Sequence, residues 1–205
     1  MILAILVIGI IAATIMIQDL NSIEIVINTN GSDVDVKSYS PFHTVPQQMD
    51  VDMEDAAMEQ LIEPNSTVDS IKNEIKTIAK NYSYKAKITL ISPYGVDQLP
   101  MPAKVSGTSM LPTLMDGQQI IVLKTKDYKV NDIVVAIHPD YGMIVKRLKI
   151  IEPDKVYLMS DNRNITYFTT QTNLGNGQVE YQTFKRTPLD TWLPKENIVG
   201  VVKVY

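Results

Sequence analysis

Apolar and polar positions change their spacing several times along the chain, and each change marks an element. Residues 1–17 carry no charge and, apart from Thr14, no strongly polar side chain. As a helix at ~1.5 Å per residue the run reaches ~25 Å, near the short limit for crossing a bilayer. It is apolar on every face, which suits a membrane span better than a core helix. No Lys or Arg precedes it, and the exit Gln18-Asp19-Leu20 offers no small-x-small cleavage site. These features predict an uncleaved anchor rather than a removed signal peptide.

Beyond it, Ile23, Ile25 and Ile27 alternate with Glu24 and Val26, the period of a strand. Asn30-Gly31 predicts a two-residue hairpin turn, with Val34 and Val36 on the return strand. Residues 40–50, with Pro41 and Pro46, read as a linker. Met53, Ala57, Met58 and Leu61 predict a short helix that Pro64 ends. A second helix spans residues 66–81, with Ser66 as N-cap, Asp69 three residues on, and a stripe of Val68, Ile71, Ile75 and Ile78. Ala86, Ile88 and Leu90 alternate with Lys85, Lys87 and Thr89 as a strand. Residues 93–102, with three prolines and a glycine, read as a connection.

From Ala103 onward the pattern is of short strands: residues 119–124, 133–138, 143–150, 155–159, 179–184 and 198–205. Many short strands and almost no helix predict a mainly β fold, a coiled, barrel-like sheet. The expected organisation is an anchor over 1–20, a small α+β appendage over 21–100, and the β domain over 101–205, with no internal repeat.

Composition narrows the chemistry. The chain has 205 residues, a formal net charge of −4 and no cysteine. Disulfides, thiol catalysis and Cys-ligated zinc are excluded. No dense Lys/Arg cluster offers a face for phosphates, so nucleic acid is not an expected partner. His43 and His138 are the only imidazoles and are flanked by unrelated sequence, so neither a metal site, a cofactor nor a conventional triad is expected. Asp19 and Glu24 follow the apolar run and no basic residue precedes it, which gives the positive-inside rule little to count. A short N-terminus inside, with the bulk of the chain extracytoplasmic, is the simpler arrangement. Sequons at Asn30, Asn65, Asn81 and Asn164 are compatible with it.

The stretch that carries chemistry is Val105-Ser-Gly-Thr-Ser-Met-Leu-Pro-Thr-Leu114, followed by Asp116-Gly117. A serine hydroxyl becomes a useful nucleophile only with a base in hydrogen-bond reach. Lysine serves as that base only when neutral, so burial must lower its ordinary pKa of ~10.4 by several units. Lys146 meets this demand: it sits among Met143, Ile144, Val145 and Leu148 in a strand pattern, with Arg147 on the opposite face.

The stretch resembles the nucleophile signature of type I signal peptidases, in which the serine before Met attacks; here that is Ser109. Further pieces follow in the family's order. Asn131-Asp-Ile-Val-Val135 resembles its Gly-Asp-Ile-Val-Val strand, with Asn for Gly. Ile144-Val-Lys-Arg-Leu148 resembles the strand of the catalytic lysine. Ser160-Asp-Asn-Arg163 resembles Gly-Asp-Asn-Arg, with Ser for Gly, and Trp192-Leu-Pro through Gly200 resembles the closing segment. The resemblance covers roughly residues 103–205.

It implies a fold of the LexA/signal peptidase type and a Ser109–Lys146 dyad, with the Ser109 backbone N–H donating to the oxyanion. Arg147, Asp161 and Asn162 would support the dyad, Arg147 pairing with Asp161. Met110, Leu111 and Pro112 would face substrate. The implied activity is removal of signal peptides from exported preproteins at the cell membrane, on the extracytoplasmic side of a single-pass anchor. The implied partners are preprotein signal peptides, membrane lipid and the protein export machinery.

Departures also stand out. Gly107 occupies the place where some members carry a second oxyanion hydroxyl, leaving Ser106 and Thr108 as candidates. A longer insertion over 167–191 follows Thr166, and Thr166 and Asp190 are the candidates for a supporting hydroxyl and acid. Two other readings fit parts of the pattern. A LexA-like self-cleaving domain matches Val105-Ser-Gly-x-Ser-Met and Val145-Lys-Arg-Leu148, but the chain has no Ala-Gly cleavage pair. A non-catalytic, membrane-anchored binding module that kept the fold would account for the altered segment after Asn162.

Overall fold

The structure, a computed structural model, describes residues 20–175, 178–186 and 188–204. The apolar run of residues 1–17 lies outside the described residues. Among those described, no helix is long and apolar enough to cross a membrane. The chain divides into two compact units between Pro102 and Ala103.

In the first unit, β1 (Ser22–Thr29) and β2 (Val34–Tyr39) are followed by α1 (Gln47–Ile62), α2 (Val68–Asn81), β3 (Lys85–Ser92) and β4 (Gly95–Val96). The sheet order is β2-β1-β3-β4. β1 runs antiparallel to β2 and parallel to β3. A parallel neighbour needs a crossover, and the two helices supply it. Ile23, Ile25 and Ile27 share one buried cluster with Met49, Met53, Leu61, Ile71 and Ile75.

Three local expectations are corrected here. The Asn30-Gly31 turn is not a two-residue hairpin, because Thr29 pairs with Val34 and four residues connect the strands. The Asn30 side chain accepts from the N–H groups of Ser32 and Asp33 at 2.7 and 2.9 Å, so it builds the longer turn itself. The linker expected over 40–50 gives way to helix at Gln47, because Met49 extends the four-residue spacing of Met53, Ala57 and Leu61, all buried. The N-cap of α2 is Thr67 rather than Ser66. Thr67 and Ser70 exchange side-chain-to-backbone bonds at 3.1 and 2.9 Å. The Ser66 hydroxyl is instead drawn back onto the carbonyls of Gln60 and Glu63.

β5 (Leu99–Lys104), which runs across the division, and β6 (Gln119–Lys124), β7 (Ile133–His138), β8 (Gly142–Ile151), β9 (Lys155–Met159), β12 (Thr191–Pro194) and β13 (Ile198–Val204) of the second unit form one sheet, ordered β12-β9-β8-β7-β13-β6-β5. β10 (Thr166–Gly175) and β11 (Gln178–Arg186) form a separate two-stranded ribbon. The mainly β expectation holds, and the order of the seven-stranded sheet runs open from β12 to β5. The connection expected over 93–102 is largely strand. Pro100 and Pro102 lie in β5, a sheet-edge strand, where a missing N–H is tolerated. Register shifts in β8 and twice in β13 bend the sheet.

Gly200 sits between two of those shifts. A Cβ there would lie 2.1 Å from the Leu123 carbonyl oxygen and 2.7 Å from its carbon, both backbone atoms that cannot swing away. Gly200→Ala is expected to destabilise the second unit by about 3 kcal/mol. Gly142→Ala has open space and meets only the strain of φ +66°, about 1 kcal/mol. Urea midpoints that fall equally for the two variants would contradict this account.

Candidate active site

Ser109 lies on a loop between β5 and β6 that is closed at its neck. Val105 N–H donates to Gln118 and Gly117 N–H donates to Val105, both at 2.9 Å. Gly107, at φ +87°, donates its N–H to the Asp116 carboxylate at 2.8 Å. Val105, Met110 and Leu114 are buried and pin the loop from below. The Asp116-Gly117 pair thus shapes the loop that presents the serine.

Lys146 lies on β8 directly opposite Val134 of β7. Residues opposite one another share a face of the sheet, and Val134 belongs to a buried cluster with Ala136, Leu148 and Leu158. The lysine is therefore 4% exposed. Its Nζ lies 2.7 Å from Oγ of Ser109. Burial pushes the amine's pKa below its usual range, and the negative fields of Asp190 and, less, Asp161 oppose that shift. The two groups open onto a cleft of about 270 Å³ lined also by Val105, Ser106, Ile120, Tyr141, Met143 and Val145.

Arg147, one residue on, points the other way. Its Nε and Nη2 donate to the two carboxylate oxygens of Asp161 at 2.7 and 2.5 Å, and Nη1 donates to the Asn131 carbonyl at 2.8 Å. This fork holds the Asp161 carboxyl below its usual pKa. The Thr113 hydroxyl donates to the same carboxylate at 2.5 Å, joining the Ser109 loop to the segment just after β9. Asn162 donates its N–H to the Ser109 carbonyl and its side-chain amide to the Thr108 carbonyl, both at 2.9 Å. The Ser109 N–H meets no protein acceptor among the described residues.

Both substitutions in the family-like segments have a structural account. Asn131 stands at φ +77°, a left-handed conformation that Asn tolerates better than most residues. The Ser160 hydroxyl donates to the Leu189 carbonyl at 3.0 Å, and its N–H donates to Asp190 at 3.1 Å. Asp190 also accepts both its bonds from Arg163 at 2.7 Å. The hydroxyl absent from glycine thus anchors the segment that brings Asp190 near Lys146.

Other expected residues fall elsewhere. Met110 is 1% exposed, so its side chain is core and does not face substrate; the loop must bury an anchor to hold Ser109. Leu111 is half-buried and Pro112 exposed, and neither lines the cleft. Ser106 lines it, whereas Thr108 serves through its carbonyl. The side chain of Thr166 lies outside the described residues. Neither histidine lines the cleft; His138 is buried against Tyr141, with ring centroids 4.8 Å apart. Thr113 has no role in the sequence pattern beyond its place in the Pro-Thr pair after Ser109, which is the signal it offers.

Residues 97–182, less than half of the chain, match the model of a family described as Peptidase S24-like. The match takes in Ser109, Lys146, Asp161 and Asn162. It supports the LexA/signal peptidase superfamily and serine peptidase activity in general, without singling out type I signal peptidases. No curated protein matches the chain.

The opposition between burial and Asp190 can be measured without a substrate. In Asp190→Asn the field that raises the amine's pKa is gone, and Arg163 loses its counter-charge; both changes favour neutral Lys146. The Cε carbon resonance of Lys146, identified by its loss in Lys146→Met, is expected to titrate at lower pH in Asp190→Asn than in the parent. An unchanged or higher midpoint would remove Asp190 from the electrostatics of the site.

Proposed function

We propose that the protein is a membrane-anchored serine endopeptidase that removes signal peptides from exported preproteins through a Ser109–Lys146 dyad. The observation that carries this reading is the 2.7 Å separation of Oγ and Nζ beside an open cleft, with the amine buried and its proton affinity lowered. The Peptidase S24-like match supports the peptidase class. The signal-peptide substrate, the anchor over 1–20 and the extracytoplasmic placement rest on the resemblance and on the apolar run.

In this reading neutral Nζ takes the Oγ proton as Oγ attacks the scissile carbonyl. The Ser109 N–H donates to the oxygen that becomes negative. The ammonium then returns its proton to the departing amine. The ester left on Ser109 is cleaved by a water that the same amine deprotonates, which restores both groups. Arg147 and Asp161 fix the strand and loop around the dyad and do not touch the reacting atoms.

A second reading, self-cleavage of the LexA type, draws on the same family match. One assay separates the two. Full-length chain in lipid vesicles is given a preprotein with an Ala-x-Ala site, beside Ser109→Ala and Lys146→Met. The proposal expects cleavage of the preprotein, with each variant slowed by about 10³-fold or more. Cutting confined to the chain itself would favour self-cleavage, and equal cutting by Ser109→Ala would end the dyad assignment.

A further inference from the structure

The β10–β11 ribbon does not behave like the rest of the sheet. Its strands pair only with each other among the described residues, so both outer edges are free. An isolated two-stranded hairpin is marginal in water, and this one spends none of its large side chains on a core. Tyr167 and Tyr181 are 67% and 66% exposed, and Phe168 and Phe184 are 47% and 43% exposed. Phe168 lies opposite Phe184 and stacks on it at 5.4 Å, while Tyr167 lies opposite Lys185 on the other face. β10 itself carries no charge. Natural edge strands are normally blunted by lysine, proline or a covering element, and β10 has no lysine or proline.

Short stretches of chain join the feet of the ribbon to the residues around Ser109. Thr166 begins β10 four residues after Asn162, whose two N–H donors hold the carbonyls of Ser109 and Thr108. Four residues reach at most ~14 Å. Arg186 ends β11 four residues before Asp190, and Arg163 and Asp190 clasp each other across the base at 2.7 Å. From that base the ten residues of β10 extend ~33 Å.

We propose that this ribbon is a docking arm that takes an extended, uncharged segment of the substrate polypeptide as an added strand, outside the scissile bond. Strand addition supplies main-chain hydrogen bonds along a free edge, and aromatic side chains on either face contact alternate residues of the guest. A bilayer is the poorer occupant, because the aromatics divide between two faces and leave no single apolar side to lie on lipid. That the guest is substrate rests on the peptidase reading; that the ribbon binds an extended strand does not.

The test therefore uses the full chain carrying Ser109→Ala, which cannot cut, and a fluorescent peptide of about ten uncharged, β-prone residues, matched to the ribbon's length. Anisotropy is expected to show binding that falls about tenfold or more in Phe168→Lys/Tyr181→Lys, while Phe168→Leu/Tyr181→Phe keeps affinity within about twofold. A peptide with lysine at alternate positions is expected to bind about tenfold more weakly to the parent. Equal affinity of the double-lysine variant overturns the proposal. So does sedimentation showing a ribbon-dependent dimer that excludes peptide, or ribbon-dependent binding to vesicles with none to peptide. Loss of preprotein cleavage in the parent chain would instead strike the peptidase reading and leave this measurement standing.

Discussion

The burial of one lysine amine against one serine hydroxyl is the constraint around which the second unit is built. Burial on the apolar face of β8 favours the neutral amine, and two carboxylates pull the other way. Each of those carboxylates has its own arginine: Asp161 is gripped by Arg147 and Asp190 by Arg163. Desolvation is the larger effect, so the amine's pKa stays below its usual range. The acids remain because they hold backbone in place. Asp161 joins β8 to the Ser109 loop through Thr113, and Asp190 fastens the residues around Ser160.

A strand is well suited to this division of labour. Successive side chains point to opposite faces, so Lys146 enters the apolar side while Arg147 emerges toward Asp161. A slip of one residue in the β7–β8 register would exchange them and leave an arginine in the core. Pairing of Val134 with Lys146 and of Arg147 with Met159 guards against that slip from both sides. The loop obeys the same logic by burying Met110 and Leu114 on either side of the Leu111-Pro112-Thr113 turn, which fixes Ser109 from within rather than from the surface.

The first unit shows the opposite economy. Its helices and sheet close over a core of their own, and its capping box and Asn30 turn satisfy local backbone groups. The β10–β11 ribbon lies at the other extreme, with its large apolar side chains in solvent, four residues beyond the Asn162 that bonds to the Ser109 loop. In one molecule, apolar surface is buried in a scaffold and left exposed on a ribbon.

Features that depend only on neighbours along the chain are legible in the amino-acid order. The period of two in β1 and around Lys146 in β8, the stripe of α2, and the opposed faces of Lys146 and Arg147 are all local consequences of backbone geometry. The loop carrying Ser109 was legible because its signature is contiguous. β10 escaped notice because its side chains are polar or aromatic on both faces, so no alternation marks it. The tertiary structure alone decided which distant groups meet: Thr113 with Asp161, Ser160 with Leu189, Asn162 with Ser109. Those contacts span tens of residues, and no local pattern encodes them. They exist because strand pairing elsewhere in the sheet brings the two stretches of chain together, and only then can their hydrogen bonds form.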